Sequence, residues 1–326
     1  FNSFPELNSK IALACAFVIK TFDRNVIGSF IDLNDAPKSA NKEKVFFDKL
    51  RQGLVYLAAD VDFKKIPGSP IAFCISQAVR NAFAYGQPFK DIGNPRVGMQ
   101  TSNNDKFLRL WHEISHSPFC DSNLDSPEWI KYVKGGPFRR WYGNLEYLLH
   151  YKRNSSYILS QDNATVLPLD NLRLPKATWT DLTLVFGARL APMDSFHDIS
   201  GHCFYPDEKD LFWLLGYSNT KQFNKFLGII NSSLHYQVGD IGKMPILAFD
   251  KDQISKHVSN LIDISRSDWD AYETSWDFTS LPLLHSEHLQ PTLKGSYQKL
   301  SSHRREMTLE MRRLEQENNR IFIDAY

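Results

Sequence analysis

The sequence predicts an α+β chain, with strand-rich and helix-rich stretches following one another rather than alternating in βα units. Three stretches carry that reading. Residues 11–19 (IALACAFVI) and 26–33, separated by Asp23-Arg24-Asn25, have the apolar content and spacing of a β-hairpin. Residues 155–206 break into short strand-like runs divided by polar turns. Residues 250–326 are charged, with apolar residues at helical spacing.

Taken in order, residues 41–54 follow the hairpin as an amphipathic helix with Val45, Phe46, Lys49 and Leu50 around one side. The turn Ile66-Pro67-Gly68 leads to Ser69 as an N-cap and Pro70 at the first position of a helix running to about Tyr85. Gly86, Pro88, Gly93 and Pro95 stop that helix and mark a boundary. Asn103 or Asn104 caps a helix carrying Phe107, Leu108, Trp111 and Ile114, ended by Pro118. Residues 145–151 read as a strand, as do 157–159, 183–186 and 203–205. Helices are expected over 207–215 and 220–230, then a loop and short strand over 238–246. The last two helices span 250–267, through Ile254, Val258, Leu261 and Ile262, and 293–325, through Tyr297, Leu300, Met307, Met311, Leu314 and Ile321. The expected divisions are 1–62, 63–95, 96–249 and 250–326.

Composition excludes several classes. At 326 residues, 42% hydrophobic and 23% charged, the chain can bury real cores and is not a disordered or low-complexity protein. Lysines and arginines number 38 against 37 acidic residues, so nucleic-acid affinity has to come from local patches. Cys15, Cys74, Cys120 and Cys203 form no CxxC pair, which points to reduced, buried thiols in a cytoplasmic protein. No apolar run approaches the roughly 20 residues of a membrane span, and no membrane partner is expected. The chain opens at Phe1 without a methionine and stops in a helical run, and is expected to be a fragment.

The stretch that organises the functional reading is KGGPFRRWYGN, residues 134–144. Two glycines and a proline form a turn, with Arg139, Arg140, Trp141 and Tyr142 behind it. Over 131–153 the cations are Lys131, Lys134, Arg139, Arg140, Lys152 and Arg153, opposed only by Glu146 and interleaved with six aromatics. Guanidinium groups pair with phosphates and stack on flat rings, so this mixture suits a nucleic-acid surface; its alternative is a solvated basic loop with the aromatics in the core. Candidate DNA contacts are Lys134, Arg139, Arg140, Trp141, Tyr142, Lys152, Arg153, Arg96, Gln237 and Lys243. Lys106, Arg109, Arg173, Lys176, Arg189 and Lys221 could also line such a surface, although each alone reads better as a solvated charge.

GGPFRRWYGNLEYLLHY resembles the opening of the target-recognition region in large bacterial adenine-specific DNA methyltransferases of the PglX type, from BREX phage-defence systems. IPGSPIAF (66–73), NPRVGMQTSNNDKFLRLWHEIS (94–115), INSSLHYQVGDIGKMPI (230–246), SRSDWDAYETSWDF (265–278) and LEQENNRIFIDAY (314–326) follow in the family's order. The resemblance implies that 1–62 is the tail of a catalytic α/β domain, 63–95 a helical connector, 96–249 a mixed target-recognition domain and 250–326 a helical region. It implies double-stranded DNA and the catalytic domain of the same polypeptide as partners, with other defence-system proteins as further candidates. Fused methyltransferase–restriction endonucleases use the same kind of recognition half and give the alternative in the same class.

Two motifs that the chemistry requires are missing. There is no glycine-rich loop after a first strand to hold S-adenosylmethionine, and no Asn-Pro-Pro-aromatic loop to hold an extruded adenine; Asn94-Pro95-Arg96 lacks the second proline and the aromatic. The chain is expected to carry no catalytic residue and no cofactor, with S-adenosylmethionine bound elsewhere in the parent protein. The competing reading from another class is a zinc hydrolase using His112-Glu113-Ile114-Ser115-His116, an HExxH match that requires a helix to place both imidazoles on one face. It lacks the extended third-ligand motif, Pro118 closes the helix two residues on, and no metal site is expected. The triplets Asp62-Phe63-Lys64 and Asp207-Glu208-Lys209 match part of a nuclease signature and are expected to be charged loops.

Overall fold

A computed structural model describes residues 18, 27–37, 39–114, 128–151, 155–231 and 233–326. The chain folds as two compact units, residues 1–85 and 86–326. It is α+β, and the expected hairpin strand over 11–19 lies outside the described residues.

In the first unit β1 (Ile27–Phe30) pairs antiparallel with β2 (Tyr56–Ala59), joined through α1 (Lys42–Arg51). Asn41 caps α1 by accepting from the Lys44 amide at 3.0 Å, and α1 buries none of its residues. A four-residue turn, α2 (Asp60–Phe63), follows β2. The helix expected from Ser69 starts later, as α3 (Gln77–Tyr85). Ser69 is not its cap: it adopts φ +47° in the turn after Gly68. Cys74 is exposed, against the expectation of buried thiols, whereas Cys203 is buried.

The second unit holds two four-stranded sheets. The first, ordered β10-β6-β7-β5, comprises β10 (Ser195–His197), β6 (Trp129–Val133), β7 (Tyr147–His150) and β5 (Leu108–Leu110). Its one parallel pair is β10–β6. One face buries Phe107, Ile130, Tyr132, Leu149, Tyr151 and Phe196 into a continuous core. The second sheet runs β4 (Pro95–Arg96), β11 (Cys203–Phe204), β8 (Lys176–Trp179) and β9 (Ala188–Ala191), antiparallel throughout. A short pair joins β3 (Gln87–Pro88) to β12 (Pro245–Ile246), and the one-turn α4 (Lys90–Gly93) follows β3.

Several expectations change here. The helix carrying Phe107, Leu108, Trp111 and Ile114 is one turn, α5 (Asn104–Phe107) capped by Asn103, after which the chain extends into β5. Leu108 and Leu110 serve a sheet face, and a period-2 segment this short sits inside an apparent helical spacing. His112 and Glu113 then occupy a 3₁₀ turn, Trp111–Glu113, so the helix face that an HExxH site requires is not formed there; His116 lies outside the described residues. Residues 157–159 belong to a helical turn, α6 (Ser156–Leu159), and 183–186 form a loop.

Helices close the unit: α7 (Glu208–Ser218), α8 (Lys221–Ile230), the turn α9 (Val238–Ile241), α10 (Lys251–Asp270) and α11 (Leu293–Ala325). Gly216 of α7 meets α10 so closely that a Cβ there would stand 2.7 Å from Ile254 and 2.8 Å from Val258. The C-terminal half of α11 packs down beside them, with Phe322 stacked on Tyr217 at 5.2 Å and Asn318 Nδ2 donating to the Gly216 carbonyl at 3.0 Å.

Candidate functional site

The glycine turn is locked from inside. Gly136 and Gly143 adopt φ +105° and +120°, conformations that glycine reaches without a Cβ penalty. The Asn144 amide bridges the turn, donating to the carbonyls of Gly135 at 3.2 Å and Pro137 at 2.8 Å. Trp141, itself at φ +73°, is 1% exposed and joined to β9 by backbone bonds, its amide to Ala188 at 2.9 Å and its carbonyl from Leu190 at 2.8 Å. Tyr142 is buried too, with Arg266 over its ring at 4.8 Å. As folded, neither ring offers a free face to a base, while Phe138 is half exposed at the turn.

Each described cation among the sequence candidates has a local partner. Arg139 bonds Asp268 of α10 at 2.6 Å and lies 5.0 Å from the Trp269 ring. Arg140 bonds Glu315 of α11 at 2.9 Å, and the other Glu315 oxygen accepts from Trp141 Nε1 at 2.8 Å. Lys134 sits 3.8 Å from Asp198, whose carboxylate also accepts from the Tyr132 hydroxyl and Ser200. Lys243 pairs with Asp240 at 3.0 Å. Arg96 lies 5.0 Å over the Tyr205 ring, and Gln237 is exposed as the residue opening α9. Lys152 and Arg153 lie outside the described residues. Alternation along the chain hid these carboxylates, because Asp268 and Glu315 come from helices more than a hundred residues away.

Lys176 and Arg189 are not surface cations. Both are fully buried, on β8 and β9. Lys176 Nζ donates to three carbonyls, Asn171 at 2.7 Å, Met193 at 2.7 Å and Ser195 at 2.6 Å. Burial pulls its pKa down to about 8, although three carbonyl acceptors match all three protons of an ammonium group. Arg189 reaches the carbonyls of Lys134 and Gly135 at 3.4 Å and Thr180 Oγ1 at 3.3 Å, and so supports the glycine turn from below; burial lowers it to about 10.

A second cluster meets the turn at the end of β8. Thr180 Oγ1 donates to the Gly136 carbonyl at 3.3 Å, and the next residue, Asp181, holds His235 Nδ1 at 2.7 Å. The other Asp181 oxygen faces His202 Nε2 at 3.6 Å. His202 is buried, and desolvation lowers its pKa. The sequence pointed to Gln237 in this segment and missed Asp181; only the pairing of residues 181–183 with 234–236 shows it. Among the described residues no three His, Cys, Asp or Glu side chains are arranged to hold a metal ion.

Comparison with known proteins places the chain beside the adenine-specific methyltransferases. It is 29% identical over 349 aligned positions to the adenine-specific methyltransferase PglX of Lacticaseibacillus casei (strain Zhang), an alignment covering 100% of this chain and 29% of that protein. It is also 29% identical to the adenine-specific methyltransferase BrxX of Escherichia coli O9:H4 (strain HS), over 87% of this chain and 23% of that protein. The chain is thus PglX-like, as its motifs suggested, and it spans less than a third of the length of the relatives it matches. A more distant likeness is to the type IIL restriction-modification enzyme MmeI in complex with DNA, with TM-score 0.37 and 11% identity, covering 74% of this chain and 36% of that one. No family model matches the chain.

Proposed function

We propose that this chain is the DNA target-recognition part of an S-adenosylmethionine-dependent, adenine-specific DNA methyltransferase of the PglX type. The observation that carries it is a likeness to PglX along the whole chain, combined with the lack of both motifs that methyl transfer requires. A dinucleotide-type cofactor fold needs parallel strands with helical crossovers and a glycine-rich first turn. Among the described strands only β6 and β10 pair in parallel, beside two isolated parallel bridges, and on this reading S-adenosylmethionine is bound elsewhere in the polypeptide. Here double-stranded DNA is the ligand and the catalytic domain of the same polypeptide is the partner. The turn 134–144, Arg96, Gln237 and Lys243 supply contacts, the arginines exchanging carboxylates for phosphates.

The test maps methylated adenines in DNA from cells expressing the complete polypeptide that carries this chain, and titrates the chain with S-adenosylmethionine by calorimetry. One adenine motif in the cells and no stoichiometric heat from the chain are expected. Tight cofactor binding by the chain itself would overturn the division of labour, and an absence of adenine methylation would overturn the enzyme class.

A further inference from the structure

We propose that His235 reads a base edge on this surface and that Asp181 is the residue that positions it, an inference that rests on the DNA-recognition reading. The His235 side chain is 53% exposed, yet its loop is fixed from several sides. Leu182 and His235 form an antiparallel bridge; the Thr183 amide donates to the Leu234 carbonyl at 3.2 Å and the Tyr236 amide to that of Asp181 at 2.8 Å. Trp179 Nε1 donates to the Tyr236 carbonyl at 2.7 Å. The Asn231 amide donates to the His235 carbonyl at 2.6 Å while its oxygen accepts from Ser233. A polar side chain held outward on so rigid a support is pre-organised for contact, and its ordering entropy is spent on folding rather than on binding.

The carboxylate decides which nitrogen faces outward. A carboxylate at Asp181 accepts from Nδ1–H, and in the neutral imidazole this leaves Nε2 as an acceptor. Phosphates also offer only acceptors and do not match it. The exocyclic amines of adenine N6 and cytosine N4, displayed in the major groove, do match. The location agrees: Thr180, one residue before Asp181, is bonded to the glycine turn at Gly136, and the exposed Gln237 follows His235 by two residues.

The experiment uses the complete polypeptide, with methylated adenines mapped by sequencing and thermal midpoints recorded for every variant. His235→Ala should leave the thermal midpoint unchanged and relax the motif at one position, discrimination there falling by about tenfold or more. Asp181→Ala should relax the same position. Asp181→Asn should restore much of it, because an amide oxygen still accepts from Nδ1–H. The nitrogen chemical shifts of His235 should show the Nδ1-protonated tautomer in wild type and lose that preference in Asp181→Ala, a signature that a merely structural aspartate would not move. An unchanged motif in His235→Ala overturns this inference and leaves the recognition reading standing. Equal weakening at every site, with the motif intact, marks a phosphate contact and also overturns it. No motif in wild type overturns both.

Discussion

Arg139 and Arg140 differ from Lys176 and Arg189 in a way that residue type cannot show. The first pair is partly exposed and bonded to single carboxylates on α10 and α11. The second pair is fully buried and bonded to backbone carbonyls. An exposed ion pair exchanges one partner for another at small cost, because water covers the interval. A buried cation cannot, because removing it strands acceptors in a medium without water. Surface cations of this turn are therefore available to a ligand, and those of the strands below hold it in shape.

Stability measurements break or sharpen that contrast. Lys176→Met should lower the urea-derived unfolding free energy by about 3 kcal/mol, since three carbonyls lose the ammonium group that bonds them; Arg139→Met should cost less than about 1 kcal/mol. Equal losses would erase the distinction. Glu315→Ala comes next, at about 1–3 kcal/mol, because it strands the indole N–H of the buried Trp141 as well as Arg140. Asp268→Ala should stay below about 1 kcal/mol.

Acid should act through a buried histidine of the same region, His197 on β10, whose Nδ1 lies 3.1 Å from the Gly201 carbonyl. Burial pushes His197 down to about 3 from 6.5, so the folded protein keeps it neutral while the unfolded chain takes up a proton. Its contribution is present above about 6.5 and is lost as pH falls toward about 3, at close to 1.4 kcal/mol per pH unit. Unfolding followed from pH 6.5 to 5 should show a loss of about 1.5–2 kcal/mol, which His197→Gln reduces. On DNA, Arg139→Ala/Arg140→Ala should weaken all duplexes alike, and the slope of log K against log salt should become shallower by about two. The smallest effect is expected from Asp268→Asn, which frees Arg139 and should tighten binding only a few-fold; weaker binding would mean that the pair orders the surface rather than competing for it.

The sequence by itself determined the α+β class, the Asn103 cap, the C-terminal helices and the glycine turn, because each depends on neighbours within a few residues. Asn103 accepts from the Lys106 amide three residues on, a relation readable along the chain, whereas Ser69 is drawn into a turn instead of capping a helix. It also carried the likeness to PglX, written in long irregular motifs. It misplaced Phe107 to Ile114 because a three-residue strand fits inside a helical spacing. Tertiary structure alone decided which cations are buried, which carboxylates hold Arg139 and Arg140, and that Asp181 orients His235 across 54 residues. Those outcomes turn on desolvation and on pairing between distant segments, and neither leaves a periodic trace in the chain.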